Sequence, residues 1–417
     1  IAGSFIQRFS LFALFLFPIF YKFKKNYFFY FIIFTLVCLF TSSLILSGNR
    51  IPLVLFFLTI SSVTIFEKAS EISEVGAGIQ ISANGINILS KLGVYPDYLE
   101  AVCFPDSILF KDYKAGKPII EIKHNQDIDF PYVQLHRADL VDALVSRAKD
   151  LGVKIILGSN AIAIKTDLNG SKIKSNSNIY NFDLTVAADG MNSGVRQYWF
   201  GQSAALFMNQ VAWRALIPSD GNNIEPTVFM GINKHLVMYP IRNGELINII
   251  GVQSNKNIAP ENWNNEGSPE KFCNEFSDFS PSVNRILSKI KTVKLWGLYS
   301  HPSLKSWSND NVVLLGDAAH PILPFMAQGS CMALEDAAVL TSVLNDTNNI
   351  NKALKKYEKI RKKRVTDIQK ISSKNGKVFH LSNLILRKLF QINLRLLAKV
   401  YPSFLNKRFN WIYRYKV

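Results

Sequence analysis

Three acidic residues stand where short apolar runs end and turns begin. Residues 63–80 read VTIFEKASEISEVGAGIQ, so an apolar run closes on Glu67 and a glycine pair follows at Gly76 and Gly78. Residues 182–188 (FDLTVAA) close on Asp189-Gly190, and residues 312–315 (VVLL) close on Gly316-Asp317. A carboxylate at the carboxyl end of a buried strand is placed to hold a sugar hydroxyl, as the acid of a dinucleotide-binding unit holds a ribose. Beyond the third acid, Gly329 opens a helix whose first amides can face an anion or an electron-rich ring. Each residue also has a plain structural role open to it. Glu67 could be a solvated strand-end acid, Asp189 a cap on the turn into residues 191–198, and Asp317 a cap between strand and helix.

A ribose-binding acid at Glu67 calls for a glycine-rich phosphate loop roughly 20 residues earlier. Ile1-Ala2-Gly3 reads as the end of a first strand, but IAGSFIQRFSLFALFLFPIF continues without a second or third glycine. Phe or Gln at a close-approach glycine position would block the pyrophosphate and remove the positive φ values the loop needs. Residues 1–62 therefore read as an atypical hydrophobic segment in place of that loop. Within it, residues 27–47 (YFFYFIIFTLVCLFTSSLILS) carry no charge and are long enough to span a bilayer. A span at that position would interrupt a Rossmann unit, so an insertion stays open beside it.

The formal net charge of +17 is unevenly spread. Residues 1–66 hold five basic residues and no acid, residues 377–417 hold nine and no acid, and the middle carries only +3. That distribution argues against a nucleic-acid partner and favours anionic lipid or a partner for the basic end. The 417 residues suffice for two or three domains, and four scattered cysteines form neither a metal-binding pattern nor a disulfide framework. A reducing, cytoplasmic setting is expected, with membrane association through residues 27–47 as the further reading.

Stepping along the chain, the spacing predicts helices over residues 83–92 and 138–151 and a buried strand over 152–157. Residues 169–182 suit a hairpin, and the runs VAWRALI, HLVMYPI and LINIIGV between 211 and 252 suggest antiparallel strands of a separate sheet. On the HLVMYPI strand, 235, 237 and 239 share a face, which would bring His235 and Tyr239 together as groups able to relay a proton. A surface His235 and a core Tyr239 are the bland alternative. Trp213 and Arg214 add an apolar ring and a cation on the run VAWRALI of the same presumed sheet.

The segment VVLLGDAAHPILPFMAQGSCMALEDAAVL at 312–340 resembles the second FAD motif of the group A flavoprotein monooxygenases, in the form found in salicylate hydroxylase and 3-hydroxybenzoate 6-hydroxylase relatives. DLTVAADGMNSGVR at 183–196 is similar to the family's Asp-Gly motif, LHRADL at 135–140 matches the place of its cofactor arginine, and NWIYRYKV at 410–417 resembles its terminal segment. The resemblance implies an α/β fold: a Rossmann-like FAD-binding domain with an inserted mixed or antiparallel substrate sheet and C-terminal helices. It divides the chain into FAD-binding parts at 63–200 and 301–350, a substrate sheet at 201–300 and a basic helical region at 351–417. It assigns Glu67, Gly78, Arg137, Ala161, Asp189, Gly190, Gly316, Asp317 and Gly329 to the cofactor, and it makes Trp213, Arg214 and Pro324 candidates for the substrate wall, since an aromatic acid needs apolar sides and a cation. Arg137 could instead pair with Asp139 or Asp142. The implied reaction uses FAD, NAD(P)H and O2 to hydroxylate a small hydroxybenzoate-like ring through a flavin C4a-hydroperoxide, with no metal. Two other readings stay open: a membrane-associated hydroxylase or epoxidase of a lipid or quinone precursor, and an inactive flavoprotein-like chain.

Overall fold

Alternation of side chains along the strand Leu206–Pro218 organises the larger sheet. Trp213, Ala215 and Ile217 pack with Phe272, Phe276, Val283 and Leu287 on one face, while Ala212 joins Val252, Trp296, Ala77 and Phe325 on the other. A period of two sends neighbours to opposite sides, so the strand serves two cores at once. The computed structural model describes residues 63–72, 77–94, 101–123, 130–167, 170–201, 205–221, 224–261, 265–401 and 404–417, with two-residue strand pieces at 34–35 and 54–55. The expectations for the phosphate loop and for residues 27–47 lie outside these residues.

Eight strands make this sheet, in the order Glu266–Gly267, Val293–Ser300, Leu206–Pro218, Leu246–Ser254, Lys234–Ile241, Thr227–Met230, Ser107–Asp112 and Pro118–Lys123. Neighbours are antiparallel except Thr227–Met230 beside Ser107–Asp112, which are parallel. The last two strands correct the expected domain boundaries, because they come from the 63–200 segment yet complete the sheet assigned to 201–300. Ser107–Asp112 (SILFKD) is half-buried along most of its length and lacks the clean alternation that marks a strand in sequence. Helices Pro269–Glu275 and Pro281–Leu287 cover the outer face, each entered through Ser-Pro. Ser268 Oγ accepts from Lys271 N at 3.0 Å, and proline at the first helical turn gives up an amide that would have no partner there.

The other layer holds the strand ends. Thr64–Phe66 runs parallel to Lys154–Ile156, and Thr185–Ala187 runs parallel to Val312–Leu314. Gly78–Ile81 pairs with Val133–His136, and the hairpin read at 169–182 forms as Gly170–Ser175 with Asn178–Phe182. Helices Ala83–Lys91 and Arg137–Asp150 lie within one residue of their expected bounds, Gly329–Asn345 starts at the expected Gly329, and the three bury Ile86, Leu140, Leu144 and Leu334 in one core with Val313 and Leu314. No helix among the described residues is long and apolar enough to cross a membrane.

A buried ionic network fastens the Gly329–Asn345 helix to the long helix Ile350–Phe379. Glu335 receives Arg361 Nη1 at 2.5 Å and Arg364 Nε and Nη2 at 2.6 Å each, and Asp336 receives Arg361 Nε at 2.7 Å. Asp336 also takes His320 Nε2 at 2.5 Å and the Gly316 amide at 3.0 Å, while Glu335 takes Asn84 Nδ2 at 2.8 Å. Burial works against the Arg361 cation, but the charges of Glu335 and Asp336 outweigh it and hold its pKa above the ordinary value. Burial likewise pushes Asp336 upward, and His320 and Arg361 overcome that push to leave it lowered. Arg364 continues to the carbonyls of Trp411 and Ile412, at 2.8 and 2.9 Å, and stacks 3.9 Å from the Tyr415 ring. Removing one partner from such a set strands buried charge. Arg361→Leu is expected to lower the unfolding free energy by about 3–5 kcal/mol. The shift of the urea midpoint measures it, and a change below about 1 kcal/mol would mean that Arg364 and His320 compensate alone.

Candidate active site

Glu67 is 1% exposed, so it is no solvated strand-end acid. Its backbone continues the parallel pair, with Glu67 N to Ile156 O at 2.8 Å, and its Oε1 accepts the Ala69 amide at 2.7 Å. Ser159 N donates to Glu67 O at 2.8 Å. Ala161 lies two residues further on, opposite Ser175 at the start of the strand Ala161–Asp167.

Asp189 and Asp317 extend from adjacent parallel strands, so both carboxylates reach the same edge. Asp189 Oδ2 caps the following helix through Val195 N at 3.2 Å, and Gly190 makes the turn with φ of +78°. Gly316 needs its missing Cβ, because its φ of +62° aims its amide at Asp336. Arg196 closes the Asp-Gly segment, where its spacing alone does not mark it as a binding group. Its Nη1 donates to Asp317 O and Ala318 O at 3.3 and 3.4 Å, and its Nη2 donates to Met191 O. One guanidinium thus ties the two turns together. Burial lowers its pKa, opposed by Asp189, Asp317 and Glu261.

Past Asp317 the chain folds into the short turn Pro324–Met326 and enters the Gly329–Asn345 helix. The long helix holds that loop by its carbonyls: Gln369 Nε2 to Pro321 O at 2.9 Å and Ser372 Oγ to Leu323 O at 2.6 Å. Pro324 is exposed and Phe325 is buried, so Phe325, not Pro324, faces the large sheet.

Opposite this loop, His235, Arg214 and Tyr239 stand on the inner sheet face with Arg137 from the facing layer. Arg137 begins the helix Arg137–Asp150, its amide held by Ala77 O at 2.8 Å. Asp139 is engaged by Arg242 at 2.8 and 3.2 Å, which removes it as the expected partner of Arg137. Burial foremost lowers the pKa of Arg137, with Arg214 adding to the effect and Tyr239 opposing it. Arg214 is brought down to about 10 by burial, again opposed by Tyr239, and its guanidinium lies 5.4 Å from the Trp296 ring. The Tyr239 phenol is pushed up by burial against the pull of Arg214 and Arg137, so it remains a neutral donor. Gly78 belongs here for packing: a Cβ would come within 2.7 Å of the Tyr239 ring and 2.8 Å of Asn248, whose Oδ1 accepts the Gly78 amide at 3.1 Å.

His235 is buried as well, which corrects the surface alternative. Its Nδ1 lies 2.7 Å from His380 Nε2, and its ring packs 5.7 Å from Phe325 and 5.2 Å from Phe379. Gln210 Nε2 lies 3.0 Å from His380 Nδ1. An amide nitrogen only donates, so the chain of donors runs from Gln210 through His380 to His235 and leaves the His235 proton on Nε2. Gln210 and His380 carry no sequence signal, being far apart in the chain and in no motif. Trp213 is the residue the structure removes from this group. It sits beside Arg214 in sequence and therefore on the outer face, stacked 5.4 Å from Phe272.

The family model described as an FAD binding domain matches residues 60–372. The 3-hydroxybenzoate 6-hydroxylase of Polaromonas naphthalenivorans is 31% identical over 332 residues, covering 76% of this chain and 82% of that protein. The salicylate hydroxylase of Pseudomonas putida is 26% identical over 89% of this chain and 90% of its own. Among solved structures, a salicylate hydroxylase substrate complex superposes with a TM-score of 0.69 at 22% identity, over 82% of this chain and 88% of that one. Klebsiella pneumoniae HpxO complexed with FAD and uric acid gives the same score and identity over 79% and 85%. Matched over three quarters of its length by these hydroxylases and by the FAD-binding model, the chain belongs to the group A FAD-dependent aromatic monooxygenases.

Proposed function

We propose that this flavoenzyme hydroxylates a small aromatic acid, a hydroxybenzoate or a near relative, held between Arg214 and Tyr239 at one end and His235 at the other. The observation that carries the reading is the placing of these three groups on one buried sheet face opposite Phe325. His235 and Tyr239 are four residues apart on one strand, about 13 Å along it. That length seats one substituted ring with a hydrogen bond at each end.

The residues present fit FAD. Buried Glu67 and Asp317 and half-buried Asp189 at strand ends offer the acceptors that ribose and ribityl hydroxyls require, and nothing lies within 4 Å of the Cβ position of Gly190 or Gly329 to block an approaching ligand. When bound, FAD supplies the electron transfer from NAD(P)H and the activation of O2. The protein's part is position and charge. Arg196 and the hydrogen bonds from Gln369 and Ser372 hold the loop, and the Gly329–Asn345 helix turns its amino end toward the cofactor side. Arg214 receives the substrate carboxylate with Tyr239 donating beside it, while Arg137 serves the cofactor side. His235 presents an Nε2–H to the ring oxygen and favours its ionised form, which is the more electron-rich ring. Ala161 supports the Glu67 corner through the Ser159 segment, and Gly78 lets Tyr239 approach.

The full-length protein is expected to purify yellow and to oxidise NAD(P)H faster when 3-hydroxybenzoate or salicylate is added. Colourless protein that FAD cannot reconstitute overturns the reading. Arg214→Met should raise KM for the aromatic acid roughly 10- to 150-fold, the worth of a charge-assisted hydrogen bond, with flavin content unchanged. Asp317→Ala should weaken FAD itself over a similar range of about 10- to 150-fold, read by flavin fluorescence titration.

The two histidines also fix a pH response. Burial lowers both, with His380 adding to the effect at His235, and His380 falls to about 4. Their folded pKa values lie below the unfolded value of about 6.5, so the unfolded state binds more protons between those limits. Stability is then complete above about pH 6.5 and declines on acidification, with a limiting slope of about 1.4 kcal/mol per pH unit for each histidine. Urea midpoints between pH 7 and 5 measure this, and His380→Asn should flatten the slope.

A further inference from the structure

We infer that the helix Leu384–Val400 docks flat onto an anionic lipid surface. The helix is anchored to the protein along one side only. Arg387 Nη2 reaches Asp112 Oδ2 at 2.6 Å and Met230 O at 2.9 Å, and its guanidinium lies 4.6 Å from the Tyr113 ring. Gln391 Nε2 meets the same carboxylate at 3.4 Å, and Leu394 packs against the cluster of Ile119, Val228 and Met230. These positions, spaced by four and three, define the inward face.

The outward face is apolar. Ile385, Leu386, Leu389, Ile392, Leu396 and Val400 are 49–80% exposed. At the helical period they fall within an arc about 120° wide, opposite Arg387, Gln391 and Leu394. A soluble helix turns such a stripe toward its core, so an apolar stripe turned outward marks a contact surface. Lys388, Arg395 and Lys399 line one edge of the stripe, and residues 377–417 contain nine basic residues without a single acid.

That charge selects the occupant. A second copy packed face to face would bring two such basic rows together with no nearby acid in the segment to meet them. An anionic headgroup layer neutralises the row while the acyl region takes the leucines and isoleucines, the arrangement of an interfacial amphipathic helix. The helix lies on the membrane and does not cross it. Phe379 and His380, at the end of the preceding helix, touch His235, so the docking helix follows a few residues after groups of the candidate active site.

Vesicle flotation of the full-length protein tests this, with phosphatidylcholine vesicles containing or lacking phosphatidylglycerol. Binding is expected with phosphatidylglycerol and should fall at least about tenfold without it or at high salt. Leu389→Glu/Ile392→Glu and Lys388→Glu/Arg395→Glu should each cut binding at least about tenfold while circular dichroism and flavin content stay unchanged. The second pair alters only exposed polar positions, so it reports even if the first disturbs folding. Binding unaffected by the second pair, or indifferent to phosphatidylglycerol, overturns the inference. So does a dimer in sedimentation velocity that Leu389→Glu/Ile392→Glu dissociates, since the face would then belong to a second copy.

Discussion

Two neighbouring carboxylates on one helix, Glu335 and Asp336, hold two arginines of the next, and the loop that faces the large sheet depends on that grip. Successive helical residues point about 100° apart, so the pair serves two directions. Glu335 reaches Asn84 and, with Arg364, the segment around Trp411, whereas Asp336 reaches His320 and the Gly316 amide. The turn carrying Asp317 is thereby fixed from beneath by charge, and from the side by Arg196. A buried ionic set of this kind contributes geometric definition more than net stability, because desolvation consumes much of its Coulomb energy.

Charge is sorted across the molecule's inner surface. Acids stand at the strand ends, at Glu67, Asp189 and Asp317, and the cations Arg137 and Arg214 stand together near Tyr239. Two buried cations side by side raise each other's energy and favour an anion between or beside them. A long cofactor rich in hydroxyls and a short acidic substrate have complementary needs, and the two kinds of charge are kept apart accordingly.

Much of this was legible before the structure. Strands ending in acids and helices with clean spacing could be read because local pattern and tertiary role agree there. The network could not. Arg361 and Arg364 sit in KKYEKIRKKRV, which reads as a solvated basic face, and their carboxylate partners lie more than 20 residues upstream. Trp213 and Arg214 read as one substrate wall, yet strand geometry sends adjacent residues to opposite faces. The strand Ser107–Asp112 escaped because half-burial along an outlying strand leaves little alternation to see. Gln210 and His380 meet only through the fold, so no spacing could announce them.

The hold of Arg364 on the carbonyls of Trp411 and Ile412 has a consequence for biosynthesis. Every other member of the ionic set is already translated when those carbonyls leave the ribosome. Until then, Arg364 lacks the backbone that completes its solvation, and the loop before Gly329 rests on an unfinished support. The cofactor-side loop therefore reaches its final order only after residues 411 and 412 have been added, although its own residues lie more than 80 positions earlier.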